Sequence, residues 1–137
     1  MVELGMNRVL FVCVENACRS QMAEGFLKAM AGDKISAKSA GNMPSERVNS
    51  LAVQVMKEVG IDISGHKPKM ITAEMIQEAD RIILMGCGGN ACPIVPKQVE
   101  DWQIEDPAGK GIEKFREVRD IIREKVRKLI DEMEKSK

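Results

Sequence analysis

Aromatic side chains are scarce in this sequence: Phe, Trp and Tyr together make up 3% of the residues, and tyrosine is absent. A folded core must therefore be built from aliphatic side chains and methionine. Hydrophobic residues still reach 44%, which is typical of a globular domain and excludes a disordered chain. The length of 137 residues predicts a single domain over residues 1–137.

An excess of either charge is also missing, because 21 basic and 21 acidic residues give a formal net charge of zero. This balance provides no electrostatic basis for binding nucleic acid or an anionic membrane. No apolar run approaches a transmembrane span, and the N-terminus lacks the basic-then-apolar layout of a secretory signal. We therefore expect a cytoplasmic protein whose four cysteines serve catalysis, redox cycling or metal binding rather than structural disulfides.

Apolar periodicity alternates between strand-like and helix-like segments. The predicted strands are Arg8–Val12, Lys34–Ala40, Arg81–Met85 and a mostly polar strand within Lys97–Ile104. Helical spacing occupies residues 23–30, 48–59 and 72–79, and a long amphipathic helix begins at Ile112. The alternation predicts an α/β fold with about four parallel strands and helices on both faces of the sheet. Ligands of such sheets bind beyond the carboxyl ends of the strands, so the loops that follow the first and third strands are expected on one rim.

The loop after the first strand carries the clearest chemical signal, the run Cys-Val-Glu-Asn-Ala-Cys-Arg-Ser. A loop that enters a helix N-terminus directs main-chain N–H groups at one spot, and the helix dipole favours an anion there. The same field favours the thiolate of Cys13 as a nucleophile, and Arg19 adds a planar fork for two oxygens of a phosphate-like group. Ser20 is predicted to cap the helix, where its hydroxyl reaches a main-chain N–H or the thiolate. The residues expected to surround the anion are Val14, Glu15, Asn16, Ala17, Cys18, Arg19 and Ser20.

A second cysteine pair, Cys87 and Cys92, follows the third predicted strand in a loop rich in glycine. Glycine permits the loop conformations and movement that thiol–disulfide exchange requires. The four cysteines also form two Cys-x4-Cys pairs, a spacing that overlaps with zinc ligation. The charge of Arg19 next to Cys18 opposes a cation, so a structural zinc site is the alternative rather than the main prediction.

Two further titratable residues lie in predicted loops. Asp106, before a proline, is a candidate general acid that protonates a leaving oxygen, and Glu105 competes for that role by chemistry. An Asp-Pro pair taken alone is usually only a turn. His66 is the single histidine, and we predict a solvated turn residue without a catalytic role.

Taken together, these residues resemble the thioredoxin-coupled arsenate reductases, which are built on the low-molecular-weight protein tyrosine phosphatase fold. The resemblance covers nearly the whole chain. It rests on the Cys13–Ser20 run, Ser-Ala-Gly at Ser39–Gly41, Gly-Ile-Asp-Ile-Ser at Gly60–Ser64, the Cys87/Cys92 loop and the Trp102–Lys110 segment.

The resemblance implies a relay in which Cys13 attacks arsenate held by the loop and Arg19, while Asp106 protonates the departing oxygen. Cys87 then attacks the sulfur of Cys13 and arsenite leaves, after which Cys92 attacks Cys87 to form a disulfide that a thioredoxin-like protein reduces. By the same comparison, Asn16 and Ser20 shape the loop and stabilise the thiolate. Phosphate is the implied competing anion, no cofactor or metal is implied, and a monomer is the simplest expectation.

Three features depart from the family pattern. Glu15 stands where glycine is common, and the spacing between Cys87 and Cys92 is short for the family. Lys67 and Lys69 replace polar and acidic residues of the family's potassium site, so we predict no potassium requirement.

Two alternative functions remain on the sequence alone. A phosphotyrosine-type phosphatase would use Cys13, Arg19 and Asp106, but it typically has Arg-Ser-Pro where this chain has Arg-Ser-Gln, and it leaves the second cysteine pair without a role. A phosphate-binding or redox-sensing module would use the same loop without turnover.

Overall fold

The computed structural model describes residues 7–86 and 99–135. In chain order the elements are β1 (Arg8–Val12), α1 (Arg19–Ala31) followed by a 3-10 turn (Gly32–Lys34), β2 (Ser36–Ala40), α2 (Ser50–Glu58), α3 (Ala73–Glu78), β3 (Arg81–Leu84), β4 (Glu100–Asp101) and α4 (Ile112–Lys135). The predicted α/β fold is confirmed. The predicted polar strand is reduced to the two residues of β4, which pair only with the end of β3.

The four strands are parallel and lie in the order β2-β1-β3-β4. In this register Val12 pairs with Ala40 on one side and with Leu84 on the other. The chains that leave β1, β2 and β3 therefore emerge together at one edge of the sheet. That edge carries the loop between β1 and α1, as the sequence predicts.

Hydrophobic cores cover both faces of the sheet, because successive side chains of β1 point in opposite directions. Val9 and Phe11 pack into the larger core with the apolar sides of α1, α2 and α4. Leu10 and Val12 pack on the opposite face, where Met75 and Ile76 of α3 cover them. No helix within residues 7–86 or 99–135 is long and apolar enough to cross a membrane.

Helix α1 begins two residues earlier than the sequence predicts, because the residue that flanks it is Cys18 and not Ser20. Cys18 flanks the helix and Arg19 is its first residue, so Ser20 lies inside the first turn and is not the cap. No side chain caps this helix start. The predicted cap position was wrong, whereas the Ser20 hydroxyl does reach the sulfur of Cys13, one of the two partners expected for it. Uncapped first-turn N–H groups are what an anion site at a helix N-terminus requires.

Candidate active site

A cleft of about 320 Å³ opens at the edge of the sheet where β1 and β3 end. Its walls come from the loop after β1, from the start of α2, from the end of β3 and from the segment that precedes α4. The lining residues are Cys13, Val14, Glu15, Ala17, Cys18, Arg19, Asn49, Gly86, Asp106 and Ala108. Of the predicted loop residues, only Asn16 and Ser20 do not line the cleft; both are fully buried.

Cys13 lies at the inner end of the loop and is 3% exposed. Its Sγ is 2.8 Å from the Oγ of Ser20, and the Nδ2 of Asn16 donates to the same hydroxyl at 2.8 Å. Asn16 adopts a positive φ of 52°, a conformation that asparagine tolerates better than most residues. The polar side chains behind the sulfur are therefore fixed by the turn of the loop itself.

Arg19 connects the anion-binding loop to the two neighbouring segments of the cleft. Its Nη1 donates to the carbonyl oxygens of Met85 at 2.7 Å, Gly86 at 3.0 Å and Ile104 at 2.8 Å. Arg19 is 6% exposed, and its Nη2 is 3.8 Å from Oδ2 of Asp106. Because Nη1 is occupied by carbonyl groups, Nη2 and Nε are the nitrogens that remain to meet an anion.

Gly86 allows this arrangement at the end of β3. It has a φ of +87°, and a Cβ atom there would be 2.6 Å from the main-chain N and O of Ile104. Only glycine combines this conformation with so close an approach. The end of β3 and the segment before Asp106 are thereby held against each other beside Arg19.

The structure separates the two carboxylates that compete for the general-acid role. Asp106 lines the cleft, and its Oδ1 accepts a hydrogen bond from the main-chain N–H of Ala108 at 3.0 Å. Glu105 instead forms ion pairs with Lys110 at 2.7 Å and Lys114 at 3.2 Å. Hydrogen bonds from these lysines lower the pKa of Glu105, so it stays ionised as the pH falls and is poorly suited to donate a proton.

The other two ionisable loop side chains differ in environment. Burial, together with the nearby carboxylate of Asp106, raises the pKa of Cys18, which is therefore a neutral thiol near pH 7. Glu15 is exposed at the mouth of the cleft, and its Oε1 accepts a hydrogen bond from Ser45 at 2.9 Å. Two carboxylate side chains, Glu15 and Asp106, thus line the cleft.

Cys87 and Cys92 lie outside the described residues, although Gly86, directly before Cys87, lines the cleft. The part of the chain that the structure describes holds no cluster of three or more His, Cys, Asp or Glu side chains that could bind a metal ion. Near the expected potassium position, Lys67 and Lys69 contribute main-chain atoms: the Lys67 carbonyl accepts from Gln21, and the Lys69 N–H donates to Asn16.

Sequence reasoning missed two residues behind the loop. Gln21 is fully buried, and its Oε1 is 2.9 Å from Nδ1 of His66. The prediction of a solvated turn at His66 was wrong, since this ring is half-buried against Gln21. The only available signal was Gln21 itself, which stands where the related phosphatases typically have proline.

The fold and the cleft define a class of protein. The family model for low molecular weight phosphotyrosine protein phosphatases matches residues 8–137, and the chain belongs to this family. Within it, the chain is 46% identical to the glutaredoxin arsenate reductase of Synechocystis, over 91% of this chain and 97% of that protein.

Solved structures of arsenate reductases are also similar to this chain. One arsenate reductase in its phosphate-binding state has a TM-score of 0.83 and 42% identity, and the match covers 93% of this chain and 99% of that one. The thioredoxin-dependent arsenate reductase of Corynebacterium glutamicum has a TM-score of 0.82 and 35% identity. That match covers 96% of this chain but 64% of the Corynebacterium chain. The resemblance to arsenate reductases is confirmed by these relatives.

Proposed function

We propose that this protein is an arsenate reductase that converts arsenate to arsenite at the Cys13 cleft. The observation that carries the proposal is the convergence of Cys13, Arg19 and Asp106 on one cleft at an uncapped helix start. These groups supply a sulfur nucleophile, a fixed positive charge and a proton donor. We choose arsenate as the substrate because the similar proteins include named arsenate reductases.

The first step is a displacement at arsenic. The Cys13 thiolate forms an S–As bond, and one arsenate oxygen leaves as water after it takes a proton from Asp106. Arsenic remains in the +5 state at this point. Arg19 and the first-turn N–H groups of α1 stabilise the charge on the remaining oxygens.

The second step moves two electrons from cysteine sulfur to arsenic, and the third step transfers the resulting disulfide to Cys87 and Cys92. Cys87 attacks the Cys13 sulfur, the S–As electron pair goes to arsenic, and arsenite leaves as a Cys13–Cys87 disulfide forms. Cys92 then attacks Cys87 and frees Cys13. A redoxin with a reduced cysteine pair restores Cys87 and Cys92, which requires a reducing compartment such as the cytoplasm.

We propose that a thioredoxin-like protein is the reducing partner. We also propose that the reductase is a monomer. The relatives include one reductase named for glutaredoxin and one named as thioredoxin-dependent, so both redoxins belong in the assay. A single turnover without any redoxin avoids this choice. Reduced protein mixed with arsenate is expected to release one arsenite per molecule and to lose two thiols.

A pair of cysteine variants tests the relay in this single turnover. Cys87→Ala removes the thiol that breaks the S–As bond, so no arsenite is expected. Cys92→Ala keeps that step, so one arsenite is expected and the protein should stop as a Cys13–Cys87 disulfide. Normal arsenite release by Cys87→Ala would contradict the relay.

The phosphatase activity of the family is the second candidate, and the placement of Cys13, Arg19 and Asp106 favours it because phosphate and arsenate share shape and charge. The sequence lacks any tyrosine to pack against an aryl phosphate. Hydrolysis of a small aryl phosphate that survives in Cys87→Ala, together with failure of the parent protein to release arsenite, would make phosphatase the function.

Asp106→Asn and Glu105→Gln form a matched pair that tests the general acid. Asp106→Asn is expected to slow arsenite formation about 10²–10⁴-fold, because the leaving oxygen no longer receives a proton. Glu105→Gln is expected to keep the parent rate, since the lysines hold that carboxylate away from the cleft. The measurement is the single-turnover rate near pH 7, and equal rates for the two variants would remove Asp106 from the mechanism.

A further inference from the structure

A line of hydrogen-bonded side chains runs from Cys13 away from the cleft and ends at His66. From Cys13 Sγ it passes to Ser20 Oγ at 2.8 Å and to Asn16 Nδ2 at a further 2.8 Å. Asn16 Oδ1 is 3.0 Å from Gln21 Nε2, and Gln21 Oε1 is 2.9 Å from Nδ1 of His66. Asn16, Ser20 and Gln21 are each 0% exposed, so water does not interrupt this part of the line.

The orientation of the Gln21 amide is fixed by its surroundings. Its Nε2 lies 3.0 Å from the main-chain carbonyl of Asn16 and 3.3 Å from that of Lys67, in addition to Asn16 Oδ1. Main-chain carbonyl groups only accept hydrogen bonds, so the NH₂ end of Gln21 must face them. The Oε1 end then faces His66, and Nδ1 of that ring must carry a hydrogen.

The orientation of Asn16 is fixed in the same way. The main-chain N–H of Lys69 donates to Oδ1 of Asn16 at 2.9 Å, and Gln21 Nε2 donates to the same oxygen. Two donors at this atom place the NH₂ group of Asn16 against Ser20. Because the Ser20 oxygen accepts from Asn16, its single proton is left to donate to the sulfur of Cys13.

We propose that Gln21 is a positioning residue for the Cys13 nucleophile: held by His66 and two main-chain carbonyls, it orients Asn16 so that the Ser20 hydroxyl donates to the sulfur. A donor aimed at sulfur stabilises the thiolate more than the thiol, because the hydrogen bond to the charged atom is the stronger one. The inference rests on Cys13 being the nucleophile of the proposed function, but its tests require no arsenate.

The tautomer of His66 tests the donor and acceptor roles assigned to these hydrogen bonds, and it can be measured in the unmodified protein. His66 is the only histidine, so long-range ¹H–¹⁵N correlation spectra of its ring give a single unambiguous pattern. Burial lowers the pKa of His66, so the ring is neutral at about pH 8. We expect the proton on Nδ1. A neutral ring with its proton on Nε2 would require a reversed Gln21 amide and would overturn the proposal.

The reactivity of Cys13 tests the consequence for the sulfur. In Gln21→Met, which retains bulk but no polar atoms, the midpoint of the pH profile for iodoacetamide alkylation of Cys13 is expected to rise by about one pH unit. Peptide fragmentation separates Cys13 from Cys18. Gln54→Met, a change of the same type at an exposed position of α2, is expected to leave the midpoint unchanged. The charged groups that act on His66, namely Asp62, Glu24, Lys28 and Lys69, are identical in both variants.

A double-mutant cycle separates this role from a general loss of packing. If Gln21 acts through Ser20, then Gln21→Met adds little to the midpoint shift that Ser20→Ala already causes. Additive shifts, or an unchanged midpoint in a folded Gln21→Met protein, would overturn the proposal. A failure of arsenate reduction alongside an Nδ1 proton and a shifted midpoint would refute the proposed function and leave this inference standing.

Discussion

Among residues 7–86 and 99–135, two arginines are almost fully buried, and their partners differ. Arg119 of α4 is 9% exposed, and its guanidinium lies 2.8 Å from Glu58 and 2.9 Å from Asp120. It also donates to the main-chain carbonyl of Val55 at 3.0 Å. Arg19 is 6% exposed and donates to three carbonyl groups, and its Nη2 lies 3.8 Å from a carboxylate oxygen of the half-exposed Asp106.

The contrast between the two arginines shows which positive charge is available to a ligand. A buried charge is costly unless it is paired, and Arg119 is neutralised by Asp120 of its own helix and by Glu58, which connects α4 to α2. Arg19 is held in position by dipoles that leave most of its charge unneutralised. Because this unneutralised positive charge lies at the wall of the cleft, an anion that enters from solvent can pair with it.

Between the two arginines, the larger effect on activity is expected when the planar guanidinium of Arg19 is replaced. Arg19→Lys keeps the charge but loses the planar fork, so arsenite formation in a single turnover should fall about 10²–10³-fold. Arg119→Lys is the matched control and should retain the parent rate. Equal losses in the two variants would mean that the contrast between the arginines is not one of function.

A smaller effect, on stability alone, is expected at the second arginine. Arg119→Met removes the donor to Val55 and one partner of Glu58, so the free energy of unfolding should fall by about 1–3 kcal/mol. Urea unfolding measures this change, and the activity of the folded fraction should not change. A loss of activity without a loss of stability would contradict the structural role.

The same variant has a predicted pH dependence. Hydrogen bonds from Arg116 and then Arg119 lower the pKa of Glu58, although burial opposes them. A lowered folded-state pKa means that this stabilisation is present above the ordinary glutamate range and is lost as the pH falls through the folded value. The difference in stability between the parent and Arg119→Met should therefore shrink in acid.

The smallest effect is expected at the cleft entrance. Glu15→Gln removes a carboxylate that repels an incoming anion, so phosphate should protect Cys13 from alkylation at about threefold lower concentration. Added salt should reduce the gain because the site is exposed to solvent. Glu46→Gln, an exposed neighbour that does not line the cleft, serves as the control. A gain that is independent of salt would mean that Glu15 acts through its hydrogen bond to Ser45.

The sequence predicted those features that depend on local patterns. The bounds of β1 are those predicted, because the apolar run Val9–Val12 is complete within one strand. The loop between Cys13 and Arg19 was recognised because its chemistry is contiguous in the chain. The predicted single domain over residues 1–137 and the roles of the cysteine pair stay predictions.

Features that depend on distant main-chain atoms could not be predicted. Arg19 meets carbonyl groups 66, 67 and 85 residues away, and no side-chain pattern reports on them. The contact between Gln21 and His66 spans 45 residues, and no sequence pattern indicates it either. The helix start was misplaced because Ser20 is a good capping residue, and only the position of the sulfur explains why it does not cap.

The close packing of main-chain atoms around Gly41 limits which substitutions this part of the chain can accept. A Cβ at this position would be 2.5 Å from the carbonyl oxygens of Cys13 and Val14, and its main chain bonds Lys69 and Ile71 at 2.9 Å. Lys67 and Lys69 in turn reach Gln21 and Asn16 through main-chain atoms only. A mutational library should therefore tolerate many side chains at positions 67 and 69 while it retains glycine alone at 41. Sequence drift around this site is then limited by backbone geometry rather than by side-chain chemistry.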